Sequence, residues 1–208
     1  MLTHYVSSRS LEKTICSVCI ANYNGIDLIG ECIDSVLAQD CGFNVEIIVH
    51  DDASNDGSVA YIRACYPQVN LLVSDENCGF CVSNNRMVNV ASGQFILLLN
   101  NDARLRPAAL QAFYQRACHQ KKQGILGLPQ YSIEDNKLVD RGNLFDIFLN
   151  PYPNYDVERR LVGVVTGGCF WIPLTLWRDL GGFPEWFHTV AEDIYLCCAA
   201  RLWGYPVE

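Results

Sequence analysis

The chain has 208 residues, half of them hydrophobic, and a formal net charge of −8. That is enough apolar sequence for one sizeable core, and the acidic balance argues against sequence-independent nucleic-acid binding. It leaves room for a nucleotide held together with a metal ion, which brings its own positive charge.

Residues 1–12, MLTHYVSSRSLE, lack an apolar signal-peptide core and read as a polar lead-in to the first strand. No run reaches the roughly 20 apolar residues of a membrane-spanning helix. Eleven cysteines without a secretion signal predict reduced thiols in a cytoplasmic protein. Two CxxC pairs, Cys16/Cys19 and Cys78/Cys81, raise the question of zinc. However, Cys16 and Cys19 fall in a predicted strand, where residues three apart point to opposite faces, so buried inert thiols are expected instead.

ICSVCI (15–20) predicts a first buried strand that breaks at Ala21-Asn22-Tyr23-Asn24-Gly25. Ile29, Cys32, Ile33, Val36 and Leu37 follow at helical spacing, with Asp27 near the positive end of the dipole. VEIIV (45–49) is the second strand and ends in His50-Asp51-Asp52, after which Ser54-Asn55-Asp56-Gly57 is rich in turn and capping residues. A helix through Val59, Ile62 and Cys65 leads to a short strand over 70–73. The loop Asp75-Glu76-Asn77-Cys78-Gly79 then opens a helix over about 80–91, which Gly93 can close.

FILLL (95–99) stops abruptly at Asn100-Asn101-Asp102. A short unbroken apolar run with polar ends fits a strand buried on both faces of a parallel sheet, and open α/β sheets bind ligands at the carboxyl ends of such strands. Pro107 suits the first turn of a helix carrying Leu110, Phe113, Tyr114 and Ala117 on one face. Another strand is expected over 124–128. Over 131–160 the pattern dissolves, and a run this long without regular elements is often functional. Apolar runs return over 161–165 and 169–172, around Thr166-Gly167-Gly168. Pro173 opens a short helix that Gly181-Gly182 ends, and a last helix runs from Glu192-Asp193 to about Trp203. Residues 206–208 read as the approach to a further strand, so a piece of a larger protein is expected.

Three acidic clusters thus sit at element ends: Asp51-Asp52, Asp102 and Glu192-Asp193. Asp102 can bind Mg²⁺ or Mn²⁺ through hard oxygen, with phosphate oxygens completing the shell. Asp51 or Asp52 can accept hydrogen bonds from a nucleobase or ribose. Tyr23 offers a flat face for the base, or is an ordinary half-buried tyrosine. Asp193, near a helix N-terminus, is a candidate general base. Gly167-Gly168 allows close backbone approach of sugar or acceptor, or forms a simple bulge. Trp186 and His188 precede the candidate base and can line an acceptor pocket, although core packing fits Trp186 equally well. The basic groups Arg116/Lys121/Lys122 and Arg159/Arg160 read as solvated surface.

In order, ICSVCIANYNG, EIIVHDDASNDGS, NCGFCVSNNRMVNVASGQFILLLNNDA and GGFPEWFHTVAEDIYLCCAARLWGY resemble a family 2 glycosyltransferase of the GT-A fold, from about Ile15 to Tyr205 apart from 131–160. The resemblance implies an α/β fold, a Rossmann-like and mostly parallel sheet flanked by helices, with a nucleotide-binding half at about 15–105 and a smaller acceptor and catalytic half at about 106–208. It implies inverting transfer of a sugar from a nucleotide-diphosphate donor to a hydroxyl of a glycan or lipid-linked glycan. Ala21, Tyr23, Asn24, Asp51, Asp52, Gly79, Asn85, Asn100 and Asn101 would lie on the nucleotide-sugar side, with Asp102 as metal ligand at the DxD position. Asp193 would be the base of the ED motif, with Gly168, Trp186, His188 and Glu192 on the acceptor side. The first DxD position is Asn100 rather than Asp, which removes one possible metal charge and is similar to rhamnosyltransferase-like cell-surface glycan enzymes, making a UDP- or dTDP-sugar plausible. Peripheral association with the inner face of the membrane would come through regions outside these residues. A sugar-phosphate nucleotidyltransferase is the first rival, but ANYNG has a single glycine where that class carries a glycine-rich loop. A non-catalytic nucleotide- or glycan-binding domain is the second.

Overall fold

The computed structural model describes residues 1–6, 13–148, 150–187 and 190–208. Ten strands are described: β1 (Leu2–Tyr5), β2 (Cys16–Asn22), β3 (Val45–Asp51), β4 (Asn70–Ser74), β5 (Phe95–Asn100), β6 (Gln130–Tyr131), β7 (Leu138–Asp140), β8 (Asn143–Phe145), β9 (Pro151–Pro153) and β10 (Cys169–Pro173). Among the described residues the α-helices are α1 (Ile26–Leu37), α2 (Ser58–Cys65), α3 (Phe80–Val90), α4 (Ala109–His119), α5 (Leu174–Leu180) and α6 (Glu192–Leu202), with one 3-10 turn at Glu185–Phe187.

A six-stranded sheet runs in the order β1-β4-β3-β2-β5-β10. The four inner strands are parallel and the two outer ones antiparallel to their neighbours. Alternate side chains of the inner strands enter separate cores. Val18, Ile20, Ile47, Val49, Leu97 and Leu99 pack under α1, α2 and α4. Cys19, Ile48, Leu72, Ile96 and Leu98 pack under α3, α5 and α6. This two-sided burial is why the strands read as continuous apolar runs.

The structure departs from the sequence reading at several elements. The N-terminal segment contains β1, whose four residues are exposed and which pairs with β4 from Leu2↔Ser74 to Tyr5↔Leu71; a solvated edge strand carries no apolar pattern to find. The 124–128 segment is not a strand. Ile125 makes a parallel bridge with Val207, and Leu126 an antiparallel bridge with Trp171. The 161–165 segment is not a strand: it makes the isolated bridge of Val164 to Asn143, and the Val162 N–H bonds the Val207 carbonyl at 2.9 Å. Within 131–160 two small hairpins form, β6–β7 and β8–β9. Helix α3 ends at Val90, short of Gly93. Gly93 instead lies against β2, donating its N–H to Ser17 Oγ at 2.9 Å, and a Cβ there would come within 2.5 Å of Ser17 N.

Candidate active site

The parallel strands deliver their polar ends to one edge. Asp51 closes β3 and is fully buried: Oδ1 accepts the Ser54 N–H at 2.9 Å, and Oδ2 accepts Ser54 Oγ and Asn22 Nδ2, both at 2.8 Å. Asn22, at the end of β2, accepts Asn101 Nδ2 at 2.9 Å. The chain Ser54–Asp51–Asn22–Asn101 thereby ties the ends of β3, β2 and β5 together. Gly25 passes directly over it. A Cβ there would lie 2.3 Å from Asn101 Nδ2 and 2.4 Å from Asn22 Oδ1, so only glycine fits. Asn24 bridges to the β3–α2 loop, donating its N–H to Ser54 Oγ and accepting the Asn55 N–H. Tyr23 is 54% exposed beside this network. Ala21 pairs with His50 and Asn100 in the sheet.

Asp52 organises the next loop. Its carboxylate accepts Cys78 N at 2.8 Å, Cys78 Sγ at 2.8 Å and Gly79 N at 2.9 Å. Asn85 sits on α3 with both amide atoms on the Phe183 backbone, at 2.8 and 3.0 Å, so it fastens α3 to the loop that leads to α6.

Asp102 lies just past β5, exposed, in a groove also lined by Asn100, Gln130, Tyr131, Gly168 and Cys169. Its carboxylate accepts no hydrogen bond from a described residue, which leaves its oxygens open to a hard divalent cation. A second acidic grouping fits less well. Ligand atoms of His50, Asp52 and Cys78 lie within 4.8 Å of one another. However, Arg86 Nη1 stands 3.3 Å from Cys78 Sγ and 3.5 Å from His50 Nε2, and a fixed guanidinium there opposes a metal ion. Of the first CxxC pair, Cys16 and Cys19 are both fully buried and their side chains enter opposite cores.

Asp193 lies in the first turn of α6. Its Oδ2 accepts the Gly167 N–H at 3.0 Å and its Oδ1 the Ile194 N–H at 2.7 Å. The next residue, Gly168, accepts the Asn100 N–H at 3.1 Å. Two consecutive glycines therefore connect Asp193 to the strand end that carries Asp102. Glu192, only 7% exposed, has Oε2 without a described partner, and burial raises its carboxyl above the usual range. Trp186 is 72% exposed and stacks on Phe187 at 4.1 Å between centroids, so it is not a core residue. His188 lies outside the described residues.

Sequence reasoning placed the acids but missed their holders. Ser54 and Asn22 are read as turn residues, and only the register of β2 on β3, with Asn22 opposite Asp51, shows the pairing. Cys78 looks like half of a CxxC pair and is instead a ligand of Asp52.

The family model for glycosyl transferase family 2 matches residues 17–180. The chain belongs to this family. Among relatives of the family 2 chain, the succinoglycan biosynthesis protein ExoO of Rhizobium meliloti is 37% identical over 99 residues, which is 47% of this chain and 28% of that protein. The minor teichoic acid biosynthesis protein GgaA of Bacillus subtilis is 33% identical over 174 residues, 77% of this chain and 37% of that protein. The chain thus spans well under half the length of these relatives. Among solved structures, mannosyltransferase PcManGT from Pyrobaculum calidifontis, in complex with GDP-Man and Mn²⁺, superposes with a TM-score of 0.67 at 20% identity, covering 97% of this chain and 56% of that one. S. aureus TarS 1-349 in complex with UDP gives 0.61 at 21% identity, covering 94% and 58%. The fold is GT-A.

Proposed function

We propose that this family 2 chain is the catalytic part of an inverting glycosyltransferase of cell-surface polysaccharide synthesis, using a UDP- or dTDP-sugar donor. The observation that carries the reading is the glycine pair, with Gly167 bonded to Asp193 and Gly168 to Asn100. It ties the candidate base Asp193 to the end of β5, which leads directly into the candidate metal ligand Asp102. ExoO and GgaA, as relatives named for succinoglycan and teichoic acid synthesis, support the polysaccharide assignment. The neighbours solved with GDP-Man and Mn²⁺ and with UDP support a nucleotide-sugar donor and a divalent ion.

In this reading Tyr23 lies on the base, with Ala21 and Asn24 beside it. The buried network of Asn22, Asp51 and Asn101 holds the Tyr23–Asn24 and Ser54 loops that face the base, and Asp52 shapes the loop of Gly79. Asp193 takes the proton from the acceptor hydroxyl as that oxygen bonds to the anomeric carbon. The bond from that carbon to the diphosphate oxygen breaks, and the nucleoside diphosphate leaves with the electron pair. A divalent cation on Asp102, when bound, neutralises the charge of the departing diphosphate. A single displacement inverts the anomeric centre. Exposed Trp186 and buried Glu192 border the acceptor. The eleven free thiols support a reducing, cytoplasmic setting.

Calorimetric titration with UDP, dTDP and GDP, each with Mn²⁺ and with a chelator, tests the donor site. One nucleotide is expected to bind with Mn²⁺, and to lose that dependence in Asp102→Ala. Binding by no nucleotide under either condition would overturn the assignment.

A further inference from the structure

Away from the donor groove, one pocket gathers positive charge against the acidic trend of the chain. Arg116, Arg141, Arg159 and Arg160 line it, with Asp140 and Glu208. Both carboxylates are engaged. Glu208 Oε2 holds Arg116 at 2.5 and 2.6 Å, and Asp140 accepts Thr166 Oγ1 at 2.8 Å and the Gly142 N–H at 3.0 Å. Arg141 donates to the Val157 carbonyl at 3.2 Å. Arg159 and Arg160 make no ion pair with a described residue. Glu208 is paired with Arg116, and Asp140 is the one other carboxylate in the lining, bonded only to neutral donors, so Arg141, Arg159 and Arg160 leave the pocket net positive. The planar fork of arginine matches two phosphate oxygens at once, which makes phosphate the anion such a pocket favours.

The pocket adjoins the reaction groove. Gln130 lines both. Its Nε2 donates to Thr166 Oγ1 at 2.8 Å, and its Oε1 lies 3.7 Å from where a Cβ on Gly168 would stand. Thr166 immediately precedes Gly167, whose N–H holds Asp193. We propose that this arginine pocket binds a phosphate group carried by the acceptor, so that a phosphate-bearing glycan or glycan carrier is anchored there while its hydroxyl reaches Asp193 past Gln130. The proposal rests on the glycosyl-transfer reading for the word acceptor, and on the pocket alone for the phosphate.

The test separates the two. Inorganic pyrophosphate is titrated into the Asp102→Ala protein, which lacks the donor's metal ligand, and into the same protein carrying Arg159→Gln and Arg160→Gln. Both arginines are exposed, so the fold is expected to survive, and thermal unfolding checks that it has. The expected result is binding in the first protein that weakens by about tenfold or more in the second, given the strength of charge-assisted phosphate bonds. Equal affinity in the two, or no binding in the first, overturns the pocket. The UDP titration of the unsubstituted protein judges the donor reading separately. Sedimentation with phosphatidylcholine vesicles, with and without phosphatidic acid, then identifies the source. Arginine-dependent capture by the phosphatidic acid vesicles assigns a lipid-borne phosphate, and arginine-dependent binding of free pyrophosphate alone assigns a soluble carrier; either upholds the pocket.

Discussion

His50 shows how a single buried residue couples the site to solution conditions. It lies fully buried on β3 between the two acids and the core, with Ser74 Oγ 3.0 Å from Nε2 and Nδ1 without a described partner. Burial lowers its imidazole from 6.5 to about 4, with Asp52 pulling upward and Arg86 downward. Between these values the unfolded chain binds a proton that the native chain refuses. Stability is therefore lost as pH falls through that window, by at most about 3 kcal/mol, and does not depend on this group above it. Urea denaturation across this range is expected to show the fall in the parent and a flatter profile in His50→Gln. Asp193 carries the corresponding catalytic expectation. Asp193→Asn can keep one of the two backbone hydrogen bonds, from Gly167 or from Ile194, but cannot take a proton, so single-turnover assays should lose about 10²–10⁴-fold in rate while UDP affinity holds. Full activity in that variant would remove Asp193 as the base.

At the scale of elements, the packing of β10 on α4 fixes where the glycine pair lies. Trp171 on β10 stacks on Phe113 of α4 at 5.1 Å and 8° and on Phe95 of β5 at 5.0 Å and 26°. Its fully buried indole N–H has no described partner. Trp171→Ala should cost about 3–5 kcal/mol in thermal or chemical unfolding, as for other large core truncations. Trp171→Phe keeps an aromatic face and removes the orphan donor, so it should cost less. A position that tolerates alanine as well as phenylalanine would mean that the stack does not hold β10 in register. That register places Cys169 opposite Leu99 and sets Gly168 on the Asn100 N–H.

For the whole molecule, the sheet is shared by both cores. Residues 18, 20, 47 and 49 serve one layer of helices, while residues 19 and 48, from the same two strands, serve the other. Neither layer can lose its packing without exposing the strands that support the other. Urea unfolding is therefore expected as one transition, with coincident midpoints by tryptophan fluorescence and far-UV circular dichroism. Separated midpoints would show that the proposed donor half, about 15–105, and acceptor half, about 106–208, behave as independent units.

The sequence by itself determined the parallel α/β core, because strands buried on both faces and helices buried on one leave different periodicities in the chain. It also determined where the acids stand, since a polar break after an apolar run marks a strand end. Tertiary structure alone decided which side chains hold those acids. Asn22 meets Asp51 and Asn101 only through strand register, and Gly167 meets Asp193 only after β10 and α6 have packed. The exposed strand β1 and the hairpins within 131–160 were decided the same way. Their residues carry little periodic burial, and their order comes from backbone pairing with partners the local sequence does not name.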